Sequence, residues 1–381
     1  MRIRAPWRMA AIISALALIA TACDGDIDDT ESPDDAALEQ DAAAVVDDDD
    51  AAADDGPSAD LLGSGASFPN PAYQSLIGEF QEVEPGVSLQ YESIGSSGGK
   101  EQMVQGLTDF GGTDSVMDDE EQAEAIEARA CTEDEVLHIP TMYGGVVIAY
   151  NIDGLDDELT LDGATIAGIF SGEITNANDP AIAALNDGVD LPDQDLTVAV
   201  RADGSGTTDA FSTYLEDESQ DWADQYGSGS EIDWFDGVVG GEQNDGVAAT
   251  VAAQPGGIGY LSLEFAVAAG LPYADVINAD GNAVTPTAES VSAATDGIEL
   301  PEDLRFDILG VGGEGYPIAT ATWLLAWTCD YDEGDTEALQ AFITYIVEDG
   351  ADTIADLGYA PISGDALEMT LGKIERINEE G

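Results

Sequence analysis

The chain has 381 residues and a formal net charge of −70, because 79 Asp and Glu face nine Lys and Arg. Such a surface repels nucleic acid, which argues against a function in binding DNA or RNA. Its length and its 44% hydrophobic content allow two domains with true cores. Abundant Asp with little Lys indicates a saline habitat, where a Debye length of ~3 Å at 1 M salt screens repulsion; the alternative is a protein that is merely acidic.

The first 22 residues have the pattern of an export signal. Three Arg precede the apolar run MAAIISALALIATA at residues 9–22, which is short for a membrane-spanning helix. The string Ala20-Thr21-Ala22-Cys23 resembles a lipoprotein signal box. It predicts cleavage before Cys23, lipidation of the Cys23 sulfur and an extracytoplasmic, membrane-anchored protein. The alternative is a plain secretory signal with an incidental cysteine.

Residues 23–60 are predicted to form an acidic, disordered tether. Residues 24–60 hold sixteen Asp and Glu and no Lys or Arg. Self-repulsion and a lack of apolar residues keep such a segment extended. A calcium-binding tail is a weaker alternative, because no loop with ordered ligand spacing is present.

From Leu61 onward, helical patterns alternate with strand-like runs. In chain order the predicted elements are a helix at Pro71–Val83, a strand at Val87–Glu92, a helix at Gly98–Leu107, strands at Leu137–Asn151 and Leu196–Arg201, and helices at Gly206–Leu215, Gly246–Ala253 and Thr336–Val347. This alternation predicts an α/β fold with a parallel or mixed sheet.

Three segments place Gly or Pro and a small polar residue before a helical pattern. They are Gly65-Ala66-Ser67-Phe68-Pro69, Gly95-Ser96-Ser97-Gly98-Gly99 and Asp203-Gly204-Ser205-Gly206-Thr207. Helix N-termini expose unpaired backbone N–H groups that bind anions. One such segment alone is more often a helix cap or a turn. Three in one chain predict an oxyanion site.

Arg201 directly follows a predicted strand and precedes the third of these segments. It is one of only six cations after the signal. A guanidinium can hold a phosphate or carboxylate through two parallel hydrogen bonds. Asp203 is close enough in sequence to orient it. The alternative is a surface ion pair of little consequence.

Several longer motifs occur in one order from about Leu61 to beyond Ala319. They are GSGASFPNPAYQ, YESIGSSGG, DFGGTDSVM, IPTMYGGVVIAYNI, VAVRADGSGTTDAF and GEQNDGVAATVAAQPGGIGYLS. In these motifs the chain resembles the periplasmic phosphate-binding proteins of bacterial and archaeal ABC importers. The resemblance implies inorganic phosphate as ligand, a membrane permease and ATPase as partners, a monomer, and no cofactor. A single histidine, His138, and the lack of a CxxC motif argue against a metal site.

The resemblance also implies a two-lobed periplasmic-binding-protein fold of type II. Lobe 1 would comprise residues 61–144 and 317–381, and lobe 2 residues 145–316, with hinge crossings near Gly144-Gly145 and Tyr316-Pro317. Closure would bring the two halves of the site together. Matched by motif, the implied phosphate-binding residues are Ser67, Phe68 (through its backbone N–H), Ser96, Asp114, Arg201, Ser205, Gly206 and Thr207, with Asp203 holding Arg201.

Asp114 has a physical reason to select phosphate. An ionised carboxylate only accepts hydrogen bonds. It can accept the proton of HPO₄²⁻ or H₂PO₄⁻, whereas sulfate has no proton near neutral pH and would face it as a like charge. A hydrogen bond missing from a dry site can give about 10⁴–10⁵ discrimination. The alternative is a helix-capping or turn Asp with no ligand role.

Cys131 and Cys329 are the remaining two cysteines, and outside the cytosol such a pair often forms a disulfide. Two separate buried thiols are the alternative.

An enzyme is the competing class, because Gly204-Ser205-Gly206 resembles a hydrolase nucleophile loop. Such a serine needs a base, and His138 is the sole histidine and distant in sequence. A binding protein could also take sulfate, molybdate or a phosphonate as its ligand. The chain could instead be an adhesive surface lipoprotein, or it could add a sensory role to phosphate binding.

Overall fold

A computed structural model of the chain describes residues 56–129, 136–155, 158–308 and 310–379. These residues belong to one compact unit that spans residues 52–381. The export signal, Cys23, nearly all of the tether and Cys131 lie outside the described residues, so the predictions for them stay predictions.

The strands alternate with helices along most of the chain, as the sequence pattern predicted. The strands are β1 (Ala59–Gly65), β2 (Val87–Ser93), β3 (Phe110–Thr113), β4 (Val136–Asn151), β5 (Thr160–Leu161), β6 (Thr197–Arg201), β7 (Val239–Gly241), β8 (Gly257–Ser262), β9 (Asp275–Ile277), β10 (Ala283–Val284), β11 (Ala319–Trp327) and β12 (Ala360–Pro361).

The helices lie between the strands along most of the chain, and several of them pack against the main sheet. They are α1 (Asn70–Val83), α2 (Ser96–Val104), α3 (Asp119–Arg129), α4 (Gly163–Phe170), α5 (Pro180–Leu185), α6 (Gly206–Glu218), α7 (Gln220–Gln225), α8 (Gln243–Ala253), α9 (Leu263–Ala269), α10 (Ala288–Ala294), α11 (Glu333–Val347), α12 (Ala351–Asp356) and α13 (Gly364–Ile374).

The main sheet has the strand order β2-β1-β3-β11-β4-β8-β6-β7, and β12 pairs with β4 as well. β1 is parallel to β2 and β3, and β8, β6 and β7 are parallel to one another. β4 and β11 are antiparallel to their neighbours. The predicted α/β class with a mixed sheet is therefore confirmed.

β4 is a single 16-residue strand shared by two halves of this sheet. Its first part pairs with β11 as far as Gly145, and its second part pairs with β8 from Val146 onward. We call the strands on the β11 side, with their helices, the first half, and those on the β8 side the second half. The change of partner falls beside the expected crossing at Gly144-Gly145, and the exact lobe bounds remain a prediction.

Each half has its own buried aromatic residues beneath the strand ends. In the second half the rings of Phe211 and Tyr260 stack with centroids 4.3 Å apart, and Phe170 packs edge-on against Phe211 at 4.8 Å. In the first half the ring of Phe68 meets that of Tyr359 at 5.9 Å. These clusters fix the backbone from which the polar loops leave the sheet.

The predicted elements occur, with shifted ends. α2 begins at Ser96, before the expected start at Gly98, and ends at Val104, because Gly106 adopts φ +63° and breaks the helix. The earlier start matters, since it makes Ser96 the first helical residue. Within the part of the chain that is described, every helix is too short or too polar to cross a lipid bilayer.

The contact of α2 with the sheet gives a test that compares two adjacent glycines. A Cβ at Gly99 would lie 2.5 Å from Gly65 Cα and 2.9 Å from the carbonyl oxygens of Gly112 and Ser64, all of them backbone atoms. A Cβ at Gly98 would meet only the Ile94 side chain, at 3.2 Å. We expect Gly99→Ala to lower the free energy of unfolding by about 1–3 kcal/mol, as overpacking does.

Gly98→Ala is the matched control, and it should be neutral or stabilising by up to ~1 kcal/mol, because alanine favours helix. Urea unfolding at constant salt measures both variants. Equal stability of the two variants would contradict direct packing of α2 on the sheet.

Candidate functional site

The loop between β1 and α1 is fixed by two buried tyrosines. The Tyr91 hydroxyl donates to the carbonyl of Ala66 at 2.9 Å, and the Tyr359 hydroxyl donates to the carbonyl of Phe68 at 2.6 Å. Between these two points lies Ser67, which is 2% exposed. Because both flanking carbonyls are tied down, the Ser67 hydroxyl and the Phe68 backbone N–H have defined positions at the start of α1.

Ser96 and Asp114 form the second part of the site, at the ends of α2 and β3. The Asp114 backbone N–H donates to Ser96 Oγ at 3.1 Å, and Ser96 Oγ lies 3.4 Å from Asp114 Oδ2. On β11, Thr322 donates its hydroxyl to Asp114 Oδ1 at 2.8 Å. Asp114 is thus a buried carboxyl whose oxygens already accept hydrogen bonds.

Burial raises the pKa of the Asp114 carboxyl to about 7. The hydrogen bond from Thr322, the positive charge of Arg201 and the hydrogen bond from Ser96 all lower this pKa, but they do not offset the loss of solvent. Near neutral pH the protonated and the ionised forms of Asp114 are therefore both populated. Such a carboxyl suits a ligand that itself carries a titratable proton.

Arg201 ends β6, and its guanidinium is held by Asp203. Arg201 Nε donates to Asp203 Oδ1 at 2.8 Å, and a second guanidinium nitrogen pairs with Asp203 Oδ2. Asp203 Oδ1 also accepts from the backbone N–H of Gln243 at 3.0 Å, and the Arg201 N–H donates to the Tyr260 hydroxyl at 3.1 Å. The Arg201 side chain is 1% exposed, so the alternative of a surface ion pair is wrong.

The first turn of α6 reaches from the second half of the sheet to Asp114 and Ser96. Ser205 caps the helix, because its Oγ accepts from the backbone N–H of Thr208 at 3.2 Å. Next to it, a Cβ on Gly206 would lie 2.7 Å from Ser96 Oγ and 2.7 Å from Asp114 Cβ. Only glycine fits this approach, which directs the unpaired N–H groups of the first turn toward the buried carboxyl.

Asn244, in the first turn of α8, also belongs to the site, although the sequence reasoning did not single it out. It is fully buried, and its Nδ2 donates to Ser67 Oγ at 3.1 Å and to Thr207 Oγ1 at 3.3 Å. Its Oδ1 accepts from the backbone N–H of Ser262 at 2.9 Å. A polar residue that opens a helix after β7 was the available signal, since it repeats the design of the three recognised segments.

Gln243, beside Asn244, joins the two halves at a second place. Its side chain accepts from Ser93 Oγ at 2.6 Å and donates to the Ser93 carbonyl at 2.8 Å. Gln243 adopts φ +58°, which is unusual for a residue other than glycine. This backbone conformation lets it face Ser93 while its own N–H faces Asp203.

The structure therefore brings all the predicted ligand residues into one connected, buried group. Ser96, Asp114 and Gly206 are in contact, and Ser67 and Thr207 are joined through Asn244. Whether these residues bind phosphate remains a prediction. Cys329 is disulfide-bonded, and its expected partner Cys131 lies outside the described residues.

Comparison with known proteins identifies the family. A protein-family model, described as a PBP superfamily domain, matches residues 50–349 of the chain. The phosphate-binding protein PstS of Pasteurella multocida is 32% identical over 312 residues, which cover 81% of this chain and 88% of that protein. The PstS of Methanocaldococcus jannaschii is 32% identical over 338 residues, covering 83% and 86%. This chain belongs to the PstS family of phosphate-binding proteins.

The fold agrees with this membership. The crystal structure of a phosphate-binding protein from Stenotrophomonas maltophilia superposes with a TM-score of 0.66 at 19% identity, covering 83% of this chain and 94% of that one. The two-lobed α/β fold of periplasmic binding proteins, expected from the resemblance, is confirmed. In this PstS-family chain the connected group described above lies where the two halves of the sheet meet.

Glu264 is a second buried acid in this region, on α9. It is 7% exposed, burial raises its pKa to about 8, and its Oε1 lacks a hydrogen-bond partner among the described residues. Its second carboxyl oxygen accepts from Ser262 Oγ, and Ser262 in turn holds Asn244. Glu264 therefore keeps its proton at neutral pH, and it contacts the site only indirectly, through Ser262 and Asn244.

The raised pKa of Asp114 predicts how stability depends on pH. The native carboxyl keeps its proton up to about pH 7, whereas an unfolded Asp releases it near pH 4. Stability is therefore lost as the pH rises from about 4 to 7, where the native state binds more protons than the unfolded state. Asp114→Asn should remove this loss and be more stable than the unaltered protein at pH 8, by on the order of 4 kcal/mol at most.

Protein refolded from denaturant, to remove bound anions, should be unfolded in urea at pH 5 and at pH 8 in constant high salt. The exposed Asp153→Asn removes the same formal charge and is the control. If the stability difference between Asp114→Asn and the unaltered protein is the same at both pH values, the raised pKa is wrong.

Proposed function

We propose that this protein is the extracytoplasmic phosphate-binding component of a phosphate ABC importer. It captures inorganic phosphate in the cleft between its two lobes and delivers it to the membrane permease and ATPase. The observation that supports this most strongly is the combination of buried anion donors with one buried carboxyl, Asp114, that can accept a proton. PstS-family membership supports the same function independently.

The donors come from both halves of the sheet, so closure completes the site. The first half offers the Ser67 hydroxyl, the Phe68 N–H and the first turn of α2, and the second half offers Arg201 and the first turn of α6. Helix N-termini and one guanidinium can stabilise an oxyanion without further cations. Because a fully bound phosphate contacts both halves, it favours the closed form that the permease recognises.

Asp114 supplies selectivity. Its oxygens accept from Thr322 and Ser96, and its remaining acceptor capacity can receive the proton of HPO₄²⁻ or H₂PO₄⁻. Sulfate and molybdate bring no proton, so above about pH 7, where Asp114 is ionised, they meet a buried negative charge instead. A phosphonate or arsenate could still satisfy this carboxyl, so Asp114 alone does not separate them from phosphate.

The geometry of His138 speaks against the hydrolase alternative. Its Nε2 accepts from the Met117 backbone N–H at 2.9 Å, and its Nδ1 lies 3.2 Å from the Val136 carbonyl. Burial lowers the pKa of this imidazole to about 3. Both ring nitrogens are therefore used by the backbone of the first half, and Ser205 serves as a helix cap rather than as a nucleophile.

The proposal also covers how the protein is attached to the membrane, how its chain is divided into lobes, and its oligomeric state. Cys23 anchors the mature protein to the membrane through its lipid, residues 23–60 act as a tether, and the lobes are residues 61–144 with 317–381 and residues 145–316. The protein acts as a monomer, and Cys131 pairs with Cys329. These statements are supported by the sequence motifs and by membership of the PstS family.

Salt adaptation is supported by the positions of the cations. Among the described cations, the Lys100, Arg129, Arg201 and Arg305 side chains are 9%, 16%, 1% and 26% exposed, Lys373 is buried, and Arg376 is the most exposed at 40%. Arg129 lies over the Trp327 ring at 4.2 Å. These cations are used in specific contacts rather than spread over the acidic surface, so surface repulsion is relieved mainly by dissolved salt.

The function is tested by calorimetric titration of a soluble mature chain, residues 24–381, which lacks only the lipid-bearing Cys23, after bound phosphate has been stripped. We expect tight one-to-one binding of phosphate and no measurable binding of sulfate at high salt and pH 8, where Asp114 is ionised. Asp114→Asn should lose phosphate affinity at pH 8 and reduce the discrimination against sulfate, because the amide can also donate to an unprotonated oxygen. Absence of heat with phosphate from folded, stripped protein would refute the transport function.

Salt dependence is a separate prediction. Raising KCl from about 0.1 M to about 2 M should increase the free energy of unfolding and speed phosphate association, because the Debye length falls from ~10 Å to a few ångströms. Urea unfolding and stopped-flow fluorescence, which can use the four tryptophans that follow the signal, measure these effects. An association rate that falls steadily from low salt would show that local positive charge dominates, and the saline habitat would lose its support.

A further inference from the structure

Asn244 occupies a position between the two halves of the site. Its Nδ2 lies 3.1 Å from Ser67 Oγ, in the first half, and 3.3 Å from Thr207 Oγ1, in the second half. Ser67 and Thr207 are 140 residues apart in the chain, and Asn244 is fully buried between them. One amide group therefore contacts two of the hydroxyls that the proposed function assigns to phosphate.

The orientation of this amide is fixed by the backbone. Asn244 Oδ1 accepts from the Ser262 N–H at 2.9 Å. A flipped amide would place its NH₂ group against that N–H donor, which is unfavourable. The NH₂ group therefore faces Ser67 and Thr207, and each of its two hydrogens has one hydroxyl oxygen as acceptor.

This arrangement determines where the two hydroxyl protons point. Ser67 Oγ accepts from Asn244, and Thr207 Oγ1 accepts both from Asn244 and from Arg201 Nη1, which lies 3.4 Å away. A hydroxyl that accepts on its lone pairs still has its own proton to donate. In the described part of the chain, neither hydroxyl donates to a protein acceptor, so both protons remain for a bound anion.

We propose, on the basis of the phosphate-binding function above, that Asn244 is a positioning residue of the site. By donating to Ser67 Oγ and Thr207 Oγ1, it turns both hydroxyl protons toward the oxygens of a bound tetrahedral oxyanion. It has no ionisable group, so it orders the donors without adding a negative charge. The site thus distinguishes an acceptor-rich ligand from water, which would also bring donors.

Gln243 provides a control for the simpler role of holding the halves together. Like Asn244, it is an amide at the start of α8, and it also hydrogen-bonds across the two halves, to Ser93. Among the described residues, the Gln243 side chain makes no hydrogen bond to any of the proposed ligand hydroxyls, whereas the Asn244 side chain makes two. Substitution at either position therefore removes a contact between the halves, but only substitution at Asn244 changes hydroxyl orientation.

The first comparison uses Asn244→Ala and Gln243→Ala in the stripped mature chain. We expect Asn244→Ala to raise the phosphate Kd by on the order of 10- to 100-fold, because two donors lose their orientation, and Gln243→Ala to raise it by less than about 5-fold. Circular dichroism and urea unfolding without phosphate check that both variants are folded. Equal losses of affinity would overturn the proposal and leave Asn244 as a contact between the halves.

The second comparison changes the direction of the hydrogen bonds. Asn244→Asp keeps the shape and the acceptor for the Ser262 N–H, but a carboxylate would attract both hydroxyl protons away from the anion. We expect it to bind phosphate at least about tenfold more weakly than Asn244→Ala, whereas Gln243→Glu should differ from Gln243→Ala by no more than about threefold. The pair at Gln243 measures the effect of an added charge, together with the loss of the donor to the Ser93 carbonyl, at a position that contacts neither ligand hydroxyl. If Asn244→Asp binds better than Asn244→Ala, shape rather than donor orientation matters and the proposal fails.

A double-mutant cycle gives a readout that a purely structural role would not change. Because Asn244 acts partly through Ser67, the effect of Asn244→Ala on Kd should be smaller in the Ser67→Ala background than in the unaltered protein. Additive effects would overturn the proposal. If Asn244→Ala does not fold, the comparison of Asn244→Asp with Gln243→Glu decides. Failure of the unaltered protein to bind phosphate would instead remove the proposed function itself, and this inference with it.

Discussion

The geometry of the cleft depends on how closely the first turn of α6 approaches Asp114 and Ser96. A side chain at position 206 would collide with both residues, and the absence of one lets two helix N-termini share a small buried volume. The unpaired N–H groups of α2 and α6 then act together on whatever lies between them. A chain with only six cations beyond its signal can in this way build a strong anion site from its backbone.

Two buried carboxyl groups accompany the anion donors of the site. Asp114 and Glu264 both lie in or behind the site, and burial raises the pKa of each toward or above neutrality. An interior built for stability alone would contain neither group. Asp114 has a use as a proton acceptor, and Glu264 supports Ser262 and through it Asn244. Both acids lower the stability of the fold, and the site retains them because one accepts a proton and the other holds the residues that order the donors.

Helix starts leave local marks in a sequence, and this is why much of the site could be predicted. Ser67, Ser96 and the Arg201–Thr207 segment were recognised from glycines and small polar residues before helical patterns, and the family motifs added Asp114. Asn244 also stands at a helix start, but its contacts with Ser67 and Thr207 are tertiary and leave no mark in the sequence. Thr322 has no local signal, because a tertiary contact alone defines its role. Ser67 and Asn244 are 177 residues apart, and Thr322 and Asp114 are 208 apart.

The elements were easier to predict than their ends and their connections. The long apolar run of β4 predicted one strand, and it is one strand. Its change of partner from β11 to β8 at Gly145 and Val146 lies beside a crossing that only the family resemblance implied, because the apolar pattern itself does not show it. In the same way, the positive φ of Gln243 has no mark in the sequence, since glycine or asparagine would be the usual residue for it. Pairing and backbone conformation at these points follow from the assembled sheet.

The sharing of β4 by both halves limits how the protein can open. Antiparallel ladders to β11 and β8 hold the same strand, so neither half can slide along it without breaking a whole series of backbone hydrogen bonds. A shift by one residue would also turn buried side chains to the opposite face of the sheet. Opening must then be a twist about the strand and the segment that returns near Tyr316. Such a rotation preserves the register on both sides and parts the halves only at the cleft, where the ligand enters.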